Sequence, residues 1–193
     1  DAPLKVDGVI DGHGDIRRAA NGALNGSAAI SSDKGSIAYP DNANQPLLTY
    51  TGLALEAKLS PQSTHATVHA ALDHDGRLDG AVTLSGAPGS TQALSGHVDL
   101  DLNSLAFVEL LTPEVANTRG RLAANYTIAG TTAAPHVNGA LTLKEFAAER
   151  PSAGLKLHDG VISGRAADAD HFVLEGALEC GGGELTSSGG RSI

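Results

Sequence analysis

Apolar and polar residues alternate one for one through most of this chain, and no other feature limits its fold as strongly. Leu53, Leu55, Ala57 and Leu59 are separated by Ala54, Glu56 and Lys58. The same rule gives Ala66, Val68, Ala70 and Leu72; Leu78, Gly80, Val82 and Leu84; and Leu94, Gly96, Val98, Leu100 and Leu102. It resumes with Leu122, Ala124, Tyr126 and Ile128; Val137, Gly139, Leu141 and Leu143; Leu155 and Leu157; and Phe172, Leu174, Gly176 and Leu178. Successive side chains of a β-strand point to opposite faces, whereas a helical face recurs every three to four residues. Each run therefore predicts a strand with one apolar and one wet face.

Turn chemistry separates the runs. Asp75-Gly76, Asp159-Gly160 and Gly86-Ala87-Pro88-Gly89 read as hairpin turns, and Ser60 to Ser63 and Gly130 to Pro135 as slightly longer ones. Strands follow one another at intervals of about 10 to 15 residues, as in an antiparallel meander. Residues 1–46 are less regular. There Ala23 to Ser31 and Ser36 to Tyr39 suggest a hairpin across Asp33-Lys34-Gly35, followed by a loop from Pro40 to Pro46. One segment departs from period two: Leu105, Val108 and Leu111 stand at helical spacing, with Phe107 among them. Asn103 or Ser104 could cap a short helix over 104–111, and Thr112-Pro113 would end it. Set among strands, that helix is expected to act as a plug or gate on the apolar face.

The expectation is an all-β chain, one long curved antiparallel sheet over residues 1–193. Its continuous apolar face needs a cover: closure into a barrel, a second sheet, or folding over something apolar. The chain has only three Phe and three Tyr and no Trp or Met, while Gly numbers 24. Leu, Val, Ala and Gly fill a dense sandwich poorly. A trough with an unfilled apolar interior is therefore preferred to a packed core. The absence of Met also suggests a piece excised from a longer protein, and Arg191-Ser192-Ile193 could be a cloning remnant.

Other classes find little support. A net charge of −9 with 13 scattered basic residues argues against a nucleic-acid partner. No apolar run is long enough for a membrane-spanning helix. The lone Cys180 precludes an internal disulfide framework and has no activating base near it in sequence. His65 and His69 would lie about 13 Å apart along a strand, too far to share a metal. With His97, His158 and His171 they are expected to be solvated. Asp7, Asp11 and Asp15 around His13, and Asp73-His74-Asp75, do not complete a calcium loop. Gly12-His13-Gly14 and Gly181-Gly182-Gly183 lack the Lys-Ser or Lys-Thr of a phosphate loop. There is no nucleophile elbow, so no catalytic residue, metal or cofactor is expected, and no enzyme activity.

From residue 93 onward the order of β-words carries a resemblance. A β-run is followed by the short Leu105-Phe107-Leu110-Leu111-Pro113 pattern. Next comes a repeat whose Gly120, Gly130, Pro135 and Gly139 keep a fixed order, and then Gly154 to Leu157 and Phe172 to Leu178. In these features the chain resembles the C-terminal region of the TamB family, AsmA-like bridge proteins of Gram-negative bacteria. The resemblance implies a taco-like trough in the periplasm, in a parent protein anchored in the inner membrane. It also implies phospholipid passage to the outer membrane and work with TamA, a BamA-type barrel, in assembling outer-membrane proteins such as autotransporters. On this view the apolar phase from Leu53 to Leu178 contacts acyl chains, with Leu105, Phe107, Val108 and Leu111 as plug. The competing expectations are an assembly scaffold working through a sheet edge, and an adhesin or filament subunit with a filled, dry core.

Overall fold

The computed structural model describes residues 5–20, 22–38, 46, 48–87, 90–105, 108–109, 112, 114–166, 171–180 and 183–192. Its strands are β1 (Lys5–Gly8), β2 (Asp11–Arg18), β3 (Leu24–Ala38), β4 (Leu48–Ser60), β5 (Ser63–Leu72) and β6 (Gly76–Ser85). They continue with β7 (Ala93–Leu102), β8 (Ala116–Gly130), β9 (Pro135–Arg150), β10 (Leu155–Ala166), β11 (His171–Cys180) and β12 (Gly183–Ser192). All join a single 12-stranded sheet, and every pairing is antiparallel. From β3 to β12 each strand pairs with the next in sequence, while β1 and β2 share the outer side of β3. The sheet is curved and open, not closed into a barrel. At about 4.8 Å per strand, its eleven-strand path spans roughly 48 Å.

Register converts the alternation into continuous rows. One runs Ile30, Leu55, Val68, Gly80, Val98, Tyr126 and Gly139 across β3 to β9. A second runs Ala28, Ala57, Ala66, Val82, Gly96, Ile128 and Val137. A third runs Ala70, Leu78, Leu100, Ala124, Leu141, Gly164 and Leu174. On the opposite face the matching row is Ala54, His69, Asp79, Asp99, Asn125, Ala140 and Arg165. A one-residue slip would exchange the two faces, so the hydrophobic pattern and tight turns fix the register together. The turns at Asp73–Asp75 and Pro61-Gln62 lie where the sequence places them. The buried hydrophobic residues Tyr50, Ala70, Ala124 and Ala148 belong to the apolar side.

Three sequence expectations are corrected. Residues 23–39 do not form a hairpin: β3 runs unbroken through Asp33-Lys34-Gly35, and its partners are β1 and β2. The turn-forming residues there stay in register with β4, with Tyr50 packed over Gly35. Asp159-Gly160 is likewise not a hairpin turn but a bulge inside β10, with Asp159 at φ 52°. At Asp159 the Asp-Gly pair supplies the left-handed residue that a bulge needs, as it would in a tight turn. Finally, the expected helix at 104–111 shows only Val108 and Glu109 as helical among its described residues. The Val108 N–H donates to the Leu105 carbonyl at 2.9 Å and the Thr112 N–H to the Val108 carbonyl at 2.8 Å, which amounts to one turn.

Gly139 shows how tightly the rows approach. A Cβ there would lie 2.1 Å from the Asn125 carbonyl oxygen and 2.7 Å from Tyr126 Cα. Gly139→Val is expected to cost about 2 kcal/mol through forced backbone displacement, against less than about 0.5 kcal/mol for the exposed Ala140→Val. Urea unfolding of the two variants checks this.

Candidate functional site

The predicted lining residues are brought together on one face. Leu53, Leu55, Leu59, Val68, Leu72, Leu78, Val82, Leu84, Leu94, Val98, Leu100, Leu122, Tyr126, Ile128, Val137, Leu141, Leu143 and Leu157 all follow its register. Leu102, opposite Leu122, and Leu155, opposite Arg150, continue it. Phe172, Leu174 and Leu178 are placed by backbone register alone, opposite Ala166, Gly164 and Leu185.

This face has little over it. Leu55 and Val137 are each 40 % exposed and Ile30 45 %, although all stand in the apolar rows. Among the described residues the buried hydrophobic core is Ala38, Tyr50, Ala70, Leu105, Ala124 and Ala148, mostly small side chains. An ordinary sandwich would bury its Leu and Val rows against a second layer. Here they remain half-open.

The two rims differ. One is formed by the ends of β3, β5, β7 and β9 and the starts of β4, β6, β8 and β10. Tyr50 lies buried near it, its hydroxyl 3.3 Å from Ser32 Oγ. Leu105, 4 % exposed, packs at Gly120, where a Cβ would meet its Cδ1 at 3.0 Å. The loop carrying Leu105 is held further by the Thr118 N–H, which donates to Glu109 Oε1 at 2.6 Å, and by an ion pair between Glu114 and Arg150. Of the expected plug residues, Leu105 is seated and Val108 half-buried, while Phe107 and Leu111 lie outside the described residues. Asn103 does not cap a helix; its side-chain amide donates to the Asp75 carbonyl at 3.0 Å. Non-glycine residues at positive φ (His74, Asp75, Asn117, Glu145 and Asp159) all lie at or near this rim. So do two cavities, of 760 Å³ beside Tyr50 and 510 Å³ beside Leu105.

The polar face is wet and laced by cross-strand pairs. His69 Nδ1 lies 2.6 Å from Asp79 Oδ1, the Asn125 amide donates to Asp99 Oδ1 at 2.6 Å, and Arg77 Nε donates to Asp101 Oδ2 at 2.7 Å. The Asp101 hydrogen bond and charge, then Asp79 and Asp99, hold the Arg77 guanidinium even more firmly protonated than usual. These contacts offset the repulsion of Asp79 and Asp99, which face each other directly across β6 and β7. His65 sits 2.9 Å from Thr83 Oγ1 and is exposed. His97 is exposed as well.

One cluster escaped sequence reasoning. His158, Asp159 and Glu179 bring their ligand-type atoms within 4.8 Å of one another. Cross-strand register places Glu179 opposite His158, and the bulge brings Asp159 beside it, 3.0 Å away. The left-handed tendency of Asp before Gly was the only signal in the sequence, and it resembles a turn.

The molecule is thus a curved, open antiparallel sheet with one apolar and one polar face. A family model described as TamB, N-terminal domain matches residues 2–143, more than half of the chain. The chain therefore belongs to the TamB family, which places it in the translocation and assembly module of the bacterial envelope. The match corrects the expected region: it is to the N-terminal domain, and it includes the irregular first 46 residues. The same alternating words recur along such sheets, so local words identify the family but not the position within it. No curated protein and no solved structure matches the chain significantly. No helix among the described residues is long and apolar enough to cross a membrane.

Leu105 is expected to be the anchor of its loop. Leu105→Ala should cost about 3 kcal/mol and raise amide exchange at Thr118 and Gly120, while β5–β6 amides stay protected in hydrogen-exchange mass spectrometry.

Proposed function

We propose that this chain is a non-enzymatic segment of a periplasmic bridge, and that its apolar face carries phospholipid acyl chains between the inner and outer membranes. The observation that carries this reading is the uncovered apolar face: rows of Leu and Val cross the sheet while remaining up to 40–45 % exposed. Exposed apolar surface of that continuity requires an apolar occupant. An acyl chain gains about 0.8 kcal/mol per buried methylene. The described rows make no specific hydrogen bonds to it, so a chain can shift from one strand to the next without breaking any. Head groups would stay in water along the open side. The mechanism is passive shielding and needs no catalytic group or cofactor.

A second reading rests on a different observation. β2 is exposed throughout and pairs on one side only, with β3, and β12 pairs only with β11. Free strand edges can accept a further strand. This favours a scaffold working with TamA or with nascent outer-membrane proteins. In that case Gly14→Pro at the β2 edge would abolish function, and trough substitutions would not.

The conduit reading is tested by native mass spectrometry and lipid extraction of protein purified without detergent from a Gram-negative host. Co-purifying phospholipid is expected, with loss of at least about tenfold in Leu100→Arg and Val82→Glu, since one buried charge opposes binding by more than 1.4 kcal/mol. Polar-face Thr83→Glu should leave the lipid in place. Absence of lipid from the wild type, or its retention in both trough variants, overturns the reading.

A further inference from the structure

The 510 Å³ cavity at the Leu105 rim falls in the size range of ligand sites and differs in character from the trough beside it. Its lining combines Leu105 with Arg119 and Arg121 of β8, Glu145 of β9, and His158 and Asp159 of β10. His158 and Asp159 meet at 3.0 Å, but the other charges are poorly spent on one another. Arg121 Nε and Glu145 Oε2 stand 3.8 Å apart, with side chains 67 % and 72 % exposed. Arg119 has no ion-pair partner among the described residues. Thr118, 5 % exposed, lines the same cavity, and its hydroxyl has no hydrogen-bond partner among the described residues. A buried polar group left in that state needs an explanation.

Arg119 and Arg121, two residues apart, share the wet phase of β8 by alternation, and the bulged residues Glu145 and Asp159 bring their carboxylates to the same opening. Such bulges re-aim side chains at sheet rims. We infer that this opening is a binding site for a zwitterionic phospholipid headgroup, with the guanidinium pair on the phosphate and the carboxylates on the ammonium. A purely anionic group would face Glu145 and Asp159 unpaired, and a purely cationic one would face the two arginines. A phosphoethanolamine satisfies both signs, and its acyl chains pass over the rim at Leu105 onto the apolar face. Arginine is suited to the phosphate because its fork donates two parallel hydrogen bonds. The inference rests on the conduit reading and adds a selectivity to it.

The test titrates the intact chain with three short-chain lipids carrying the same dihexanoyl tails: phosphatidylethanolamine, phosphatidylglycerol and diacylglycerol. Wild type is expected to bind the ethanolamine lipid about tenfold more tightly than the glycerol lipid, a difference worth 1.4 kcal/mol, and diacylglycerol most weakly. Arg119→Ala with Arg121→Ala should reduce both phospholipids to the diacylglycerol level. Glu145→Gln with Asp159→Asn should remove only the preference between the two phospholipids. The residues changed are exposed, so circular dichroism should be unaltered. Equal binding of all three lipids by the wild type overturns the headgroup site while leaving the conduit standing, as does full preference in the arginine double variant. If none of the three binds, the conduit reading fails and takes this inference with it.

Discussion

From β4 to β9 the strands place their large apolar side chains mostly on one side, and among the described residues no second layer of protein covers them. Antiparallel ladders, interrupted only at a few bulges, hold the described strands together laterally. They cannot, however, dispose of the apolar face. On that face small residues such as Ala70 and Ala124 are buried among their neighbours, while larger ones such as Leu55 stay half-open. Stability then comes from local antiparallel pairing repeated from strand to strand, much as in repeat proteins, and not from a central core. An unfilled interior follows from the same arrangement.

The two faces divide the work. Charged side chains fall on the polar phase, where Arg77 pairs with Asp101 and His69 with Asp79 across strands. The apolar phase is left free of specific polar demands. Asymmetry between the two rims adds direction: bulges, buried Tyr50 and Leu105, and both cavities gather at one of them. A trough that is open along its length and structured at one rim can bind in one place and let its occupant slide elsewhere.

Most of the fold was legible in the sequence because period two is unambiguous when it is sustained. The rows through Leu78, Val82, Val98, Leu100 and Leu141 needed only alternation and turn chemistry. What was missed has a common cause. Asp33-Lys34-Gly35 and Asp159-Gly160 carry residues that tolerate left-handed backbone, and sequence alone does not separate a continuing or bulged strand from a reversal. The decision is made by partners far away: β1 and β2 against β3 in one case, β9 and β11 against β10 in the other. The His158, Asp159 and Glu179 cluster and the carboxylates at the rim around Arg119 depend on the bulged residues Glu145 and Asp159, so they were hidden with them. Within the helix expected at 104–111, Val108 and Glu109 are helical and Leu105 packs onto Gly120, while residues 106, 107, 110 and 111 lie outside the described ones.

The central claim is that the apolar phase, and only that phase, meets acyl chains. A photo-crosslinking amino acid placed at each position from Arg77 to Leu84, in cells of a Gram-negative host, tests it most directly. The account predicts lipid adducts at Leu78, Gly80, Val82 and Leu84 and none at Arg77, Asp79, Ala81 and Thr83, a strict period of two. Adducts on both phases, or none on either, would contradict it.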